Sequence, residues 1–358
     1  MSRSSRRRHA VISWRIATRA GLLQAADCDE QSAIATGAGD EHDSTAACPL
    51  GSFGRDYQLS RASAVHGVSG IVAQLVTPFT ADATVDTSLM RSLIDRMITA
   101  GVHAIELLGT TSESAYLEPA EWQQIAATCT EHVAGRVPLV LDVSGATTAV
   151  TVERVHFAEQ LGVTAILVSP MPFWRLSESE LLQHFATVAD AAAVPVMVGN
   201  DPIATGIDLP PDFLLDLVFE VGNITMIKEA GSSHQRMHQF AELAGSAFSL
   251  FSGNDMQLLH GYHAGAIGWC TAAPSLVPEP AIRLWQLLKS HSLYAAANLF
   301  YRLIPLFATI AGHSQPAAIK SGLRTLGIEA GDPRLPQQPL DEISSTELAE
   351  LITGIRSR

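Results

Sequence analysis

Lysine is nearly absent from this chain: 358 residues hold three, Lys228, Lys289 and Lys320. Nearly all positive charge is therefore arginine, and a lysine in apolar surroundings stands out. Acids exceed bases, 36 Asp and Glu against 23 Lys and Arg, for a formal net charge of −13. That sign opposes a broad phosphate-neutralising surface, so no nucleic-acid partner is expected. Cysteine is also sparse. The four, Cys28, Cys48, Cys129 and Cys270, show no CxxC spacing, which indicates neither a zinc ribbon nor a disulfide framework and fits a reducing, cytoplasmic setting. No uninterrupted apolar run is long enough for a bilayer span, so no membrane partner is expected. Charged residues are only 16% of the chain and hydrophobic ones 47%, a balance that excludes general disorder.

The first 66 residues differ from the rest. They begin MSRSSRRRHAVISWRIATRA, rich in Arg and Ser, and continue small, polar and acidic without periodicity. The composition is shared with transit peptides and, through SRRR, loosely with twin-Arg signals, but Arg15 and Arg19 interrupt the apolar stretch that export needs. Residues 1–66 are read as a disordered or targeting-like extension whose removal should leave the folded part unchanged.

From residue 67 onward, short β-branched runs alternate with amphipathic stretches of helical length, the pattern of successive βα units. Strands are expected at 70–79, 103–109, 138–143, 165–170, 195–200, 224–229, 249–254 and 266–271, with helices between them, several ending at a glycine. Eight units in this length predict a (β/α)8 TIM barrel over 67–278. The rival, an open doubly wound sheet, lacks its marker: TPFTAD follows the first strand where GxGxxG belongs. Helical segments near 279–290, 292–311, 315–326 and 344–355 make residues 279–358 a C-terminal helical appendix.

In such a barrel the chemistry sits at the C-terminal ends of the strands. The sixth expected strand, ITMIKE, carries Lys228 in an apolar run. Its amine is either paired or neutralised by desolvation, and a neutral amine can attack a carbonyl to form a Schiff base. The alternative is a lysine snorkelling to solvent or pairing with Glu229. The second strand ends in Gly109-Thr110-Thr111-Ser112-Glu113-Ser114, where glycine, hydroxyls and backbone N–H groups make a neutral cradle for a carboxylate, or simply a loop leading to a helix cap. His234 and His238 stand four apart without a third ligand, as do His260 and His263, so no metal is expected. Asp142 at the end of the third strand reads as a turn acceptor.

Taken in order, PFT at the first strand, GTTSES at the second, IKEA at the sixth and SGND at the seventh resemble the dihydrodipicolinate synthase and N-acetylneuraminate lyase superfamily, Schiff-base-forming class I aldolases. The resemblance covers residues 67–355. It implies a homotetramer acting without cofactor on pyruvate or another small 2-oxo acid, with Lys228 as the imine-forming lysine and Thr110 in the proton relay. Thr111, with Gly109, Gly253 and Asn254, matches the substrate-binding positions.

Two departures matter. The family's fifth strand ends in Tyr-Asn, the tyrosine being the acid/base beside the imine; here VMVGN puts Gly199 there, a residue that cannot relay a proton and that leaves a hole in the phenol's place. Tyr116 is a candidate substitute. The arginine that the lysine-pathway synthase uses to clamp its aldehyde's far carboxylate is matched by Ala204. Phe173 and Trp174, after the fourth strand, are candidates for walling the pocket or packing beneath a loop. The expected function is a Schiff-base lyase other than the lysine-pathway synthase. Alternatives are a dehydratase or deaminase of a deoxy-2-oxo sugar acid or hydroxyproline-pathway intermediate, and a catalytically impaired 2-oxo-acid-binding barrel.

Overall fold

The computed structural model describes residues 67–171, 173–244 and 247–357; the expectations for residues 1–66 lie outside them. Eight parallel strands close into a barrel in sequence order: β1 Gly70–Gln74, β2 Ala104–Leu107, β3 Leu139–Asp142, β4 Ala165–Val168, β5 Val196–Asn200, β6 Ile224–Glu229, β7 Ser249–Ser252 and β8 Gly268–Thr271. Pairing of Gly70 with Gly268 and Val72 with Cys270 closes the ring.

The strands are short because their flanks cannot continue the ladder. The first was expected to run to Phe79 but stops at Gln74; Pro78 has no N–H to donate, and Phe79 pairs instead with Val85 in an isolated bridge. The eighth begins two residues late, at Gly268.

Among the described residues, helices alternate with the strands: α1 Thr87–Ala100, α2 Pro119–Val133, α3 Thr148–Leu161, α4 Glu178–Ala191, α5 Pro211–Glu220, itself preceded by a four-residue helical turn Pro202–Thr205, α6 His234–Phe240 and α7 Leu258–His263. Gly101 and Gly162 end α1 and α3 with φ of 89° and 73°, the left-handed cap that a Cβ disfavours. α4 begins in a capping box in which Ser177 and Glu180 bond each other's backbone N–H. The stretch 255–266, expected as one helix, starts as a 3-10 turn at Asp255–Gln257 because the Asn254 side chain accepts the Met256 N–H. Four helices follow the barrel: α8 Pro278–Lys289, α9 Leu293–Ala311, α10 Gln315–Thr325 and α11 Glu342–Arg356. α9 is long and apolar enough to span a bilayer, yet Phe300, Leu303, Leu306, Phe307 and Ile310 are buried and Arg302 lies mid-helix.

Two apolar layers hold the barrel. The larger fills the space between strands and helices, including Trp122, Phe185, Phe240 and Trp269. The smaller fills the barrel itself, with Val72, Ala104, Val140, Leu167, Met197, Met226, Phe251 and Cys270. Side chains alternate along a strand, so the residue two places further on faces the same way. Above this inner layer the strands therefore present Gln74, Glu106, Asp142, Ser169, Gly199, Lys228 and Gly253.

Candidate active site

Lys228 projects from β6 into the barrel with its side chain 6% exposed, and its partner is on β2. The ammonium Nζ lies 2.7 Å from Oε1 and 3.0 Å from Oε2 of Glu106. Gln74 donates its amide to Glu106 Oε1 at 2.9 Å, which fixes the carboxylate's orientation. Burial alone pulls the lysine's proton affinity down, but the Glu106 carboxylate, helped by Asp201, outweighs it and holds the amine above the ordinary lysine range. Lys228 is thus paired rather than neutral at rest, and not with Glu229. That residue faces outward to Asn200, the Gly231 N–H and Arg236.

Glu106 was missed in the sequence because HAIELLG reads as an apolar strand. The available signal was parity: Glu106 is two residues from the inward-facing Ala104, as Lys228 is from Met226. Asp142 is reached the same way from Val140. It accepts the Ser144 N–H at 2.8 Å and the Ser144 hydroxyl, the turn-acceptor role expected of it. Desolvation pushes its carboxyl up to about 6, with the Glu106 charge adding to the effect. Gly109 lets the two carboxylates sit this close to the turn, since a Cβ on it would come within 2.9 Å of Glu106 Oε1 and 3.3 Å of Asp142 Oδ2 and would push them aside. Gly253 serves similarly: its Cβ would stand 3.0 Å from Lys228 Cγ.

The GTTSES segment is a tight turn. Its Ser112, Glu113 and Ser114 N–H groups donate back to Gly109 and Thr110 carbonyls, leaving those of Thr110 and Thr111 unused by the turn itself. Thr110 is exposed to the cavity; Thr111 is buried and donates its hydroxyl to Gln315 on α10. Leu108 and Glu113 take positive φ values of 62° and 60°, unusual for residues with side chains. Glu113 is held there by a buried ion pair with Lys320, 2.6 Å, and by the Arg334 N–H, 2.7 Å.

Gly199 sits beside Lys228 on the neighbouring strand, but the expected hole is not there. A Cβ on Gly199 would lie 2.2 Å from Ser169 Oγ, so the hydroxyl from the end of β4 occupies that place. Asn254 lines the cavity while its amide reaches the Ala230 and Gly231 carbonyls at 3.3 and 3.4 Å. That geometry makes it a support of the loop rather than a free substrate ligand. Tyr116 lies at the cavity's edge, 40% exposed. Phe173 reaches the cavity and Trp174 does not, and both are fully or largely exposed rather than packed under a loop.

The cavity itself, about 740 Å³, opens at the C-terminal ends of the strands and is roofed by residues of α9 and α10. Lys228 and Glu106 do not line it; they lie beneath a floor that includes Gly109, Asp142 and Gly253. Its walls carry four carboxylates, Glu113, Asp142, Asp201 and Asp255, and no lysine or arginine among the described residues. Burial also pushes the Asp255 carboxyl up to about 6.

The chain matches the model of the dihydrodipicolinate synthetase family over residues 67–355. It is 31% identical to a 4-hydroxy-tetrahydrodipicolinate synthase of Stenotrophomonas maltophilia strain R551-3, across 77% of this chain and 92% of that one. Among solved structures, a proposed dihydrodipicolinate synthetase of Pseudomonas aeruginosa shares 41% identity with a TM-score of 0.79, covering 81% of this chain and all of the other. YagE, a prophage protein of Escherichia coli K12 solved in complex with pyruvate, shares 28% identity with a TM-score of 0.75, covering 80% of this chain and 98% of its own. The family match runs through the whole barrel and the helices that roof its cavity, and the chain belongs to the dihydrodipicolinate synthetase family.

Proposed function

We propose that the protein is a Schiff-base lyase acting on pyruvate or another 2-oxo acid through an imine to Lys228. The observation that carries this is the buried Lys228 directly beneath a cavity at the C-terminal mouth of the barrel, in a family with a member solved with pyruvate. The imine acts as an electron sink for the neighbouring carbon, which allows carbon–carbon cleavage or loss of a β-substituent. The unused N–H groups of Thr110 and Thr111 receive the substrate carboxylate, and the exposed Thr110 hydroxyl serves the proton relay. The assembly is a homotetramer.

The acidic wall selects the rest of the substrate. A second carboxylate would meet Asp142, Asp201 and Asp255 with Ala204 in place of a clamping arginine, whereas hydroxyl or ammonium groups find acceptors there. This favours a deoxy-2-oxo sugar acid or an amino- or hydroxy-substituted 2-oxo acid over the lysine-pathway aldehyde. The test is borohydride reduction with a panel of 2-oxo acids. Adduct mass is expected on the peptide with Lys228 and not on those with Lys289 or Lys320; trapping that survives Lys228→Ala refutes the assignment. Product analysis then separates an aldolase, releasing pyruvate and an aldehyde, from a dehydratase or deaminase. Binding without turnover of any compound marks the impaired barrel, the reading that Gly199 favours.

A further inference from the structure

Imine formation needs a group beside the lysine nitrogen that takes and returns protons, and the family's tyrosine is absent. Its strand position is Gly199, and the side chain filling that space is the Ser169 hydroxyl, a weak acid and a weak base near neutral pH. Glu106, by contrast, contacts Nζ with both oxygens, 2.7 and 3.0 Å away, and is 2% exposed. Gln74 pins one oxygen at 2.9 Å, and Gly109 keeps the space beside it clear on the cavity side.

We propose that Glu106 is the proton-transfer group of imine formation at Lys228, in the role the family gives to a tyrosine on the fifth strand. The proposal rests on Lys228 being the imine-forming residue. Glu106 first takes a proton from the ammonium, freeing a neutral amine and removing the attraction that holds it under the floor. The amine's lone pair forms the C–N bond at the substrate's C2, the carbonyl π pair moves to oxygen, and that oxygen takes the proton back from Glu106. The nitrogen of this carbinolamine gives a second proton to Glu106. The C–O bond then breaks as the nitrogen lone pair forms the C=N bond, and the leaving hydroxyl takes the proton from Glu106 and departs as water. The nitrogen keeps one proton as the iminium. An ammonium and a carbonyl have become an iminium and water, and Glu106 is again a carboxylate.

A purely structural ion pair predicts the opposite response to substitution. Glu106 raises the proton affinity of Lys228, so Glu106→Gln in that case yields more neutral amine and faster trapping at neutral pH. If Glu106 moves the protons, the same variant traps pyruvate more slowly, by about a hundredfold or more at pH 7, with the adduct still on Lys228. The pH profile is read with Asp142 and Asp201 in mind, since each acts on this pair from another strand or its end, while burial pushes the neighbouring Cys270 thiol up and keeps it neutral. Glu106→Asp keeps the charge that the barrel interior is built around, and an intermediate rate is expected. In Glu106→Ala, added formate should restore trapping, which a structural role does not predict. Circular dichroism and melting curves accompany each variant. Wild-type trapping with an equal or faster Glu106→Gln variant, or a Glu106→Ala variant indifferent to formate, overturns the assignment of Glu106 alone. Absence of any wild-type adduct on Lys228 overturns the Schiff-base reading and this one with it.

Discussion

Ser169 and Gly199 are a matched pair: one side chain occupies what the other position leaves. Because a Cβ on residue 199 would sit 2.2 Å from Ser169 Oγ and 3.3 Å from Leu167 Cδ1, Gly199→Ala overpacks the barrel interior. A loss of about 1–3 kcal/mol is expected in urea unfolding, and Ser169→Ala in the same chain should return most of it. Gly199→Tyr, which on sequence grounds alone restores a missing phenol, is expected to be worse than alanine unless Ser169 is trimmed as well. If Gly199→Ala is neutral, Ser169 does not fill that space.

Asp142 supplies a pH dependence whose sign follows from its environment. Burial raises its carboxyl from 3.8 to about 6, with Glu106 adding and Lys228 and the Ser144 hydrogen bonds opposing; Arg154 also senses it. Between roughly pH 4 and 6 the unfolded chain ionises this group while the folded chain keeps its proton, so the folded state loses stability as pH rises through that window. The shift corresponds to about 3 kcal/mol. Asp142→Asn does not titrate, so its stability relative to wild type should improve between pH 4 and 7 by roughly that amount. A difference that is flat with pH in parallel urea titrations contradicts the assignment.

At the scale of elements, the C-terminal helices do more than cover the barrel, because α10 sends two side chains to the turn after β2. Gln315 accepts from Thr111, and Lys320 pairs with Glu113 while its Nζ lies 4.1 Å from the centroid of the Phe79 ring. Both members of the pair are at most 1% exposed, so removing one strands the other as a buried charge. Lys320→Met should cost about 3–5 kcal/mol, and Lys320→Met with Glu113→Gln much less. Hydrogen exchange at Gly109–Tyr116 should accelerate in the single variant; unchanged exchange would show that α10 does not hold the turn.

The strands and helices were legible because alternation of β-branched runs and amphipathic stretches is local. Lys228 was legible because lysine is so rare here and stands in an apolar strand. The Glu106 partner was not, since it joins β2 to β6 across the barrel, nor was Ser169, whose place beside Gly199 depends on the register of the adjacent β4 and β5. Lys320 was passed over because its partner Glu113 is 207 residues away, in the turn after β2. The expected end of β1 ran too far and the expected start of β8 came too early, because composition does not reveal where the closing register stops.

At the scale of the whole molecule, a chain of net charge −13 with four carboxylates around its cavity would take the proposed 2-oxo acid, an anion, against its own field. Glu113 is paired with Lys320 and the Lys228 ammonium beneath the floor is already neutralised by Glu106, so Asp142, Asp201 and Asp255 are the acids that face the cavity. Long-range repulsion between like charges slows encounter and is screened over a Debye length of about 10 Å at 0.1 M salt. The rate of pyruvate trapping at subsaturating concentration should therefore rise by a factor of about two or more as ionic strength increases from roughly 10 to 150 mM. Methyl pyruvate, which carries no charge, is the control and should show almost no salt dependence. The comparison isolates charge from any effect of salt on folding, because both compounds are offered to the same protein under the same conditions. A pyruvate rate that falls with salt would mean that the anion approaches through a locally positive path, contrary to the acidic cavity wall described above.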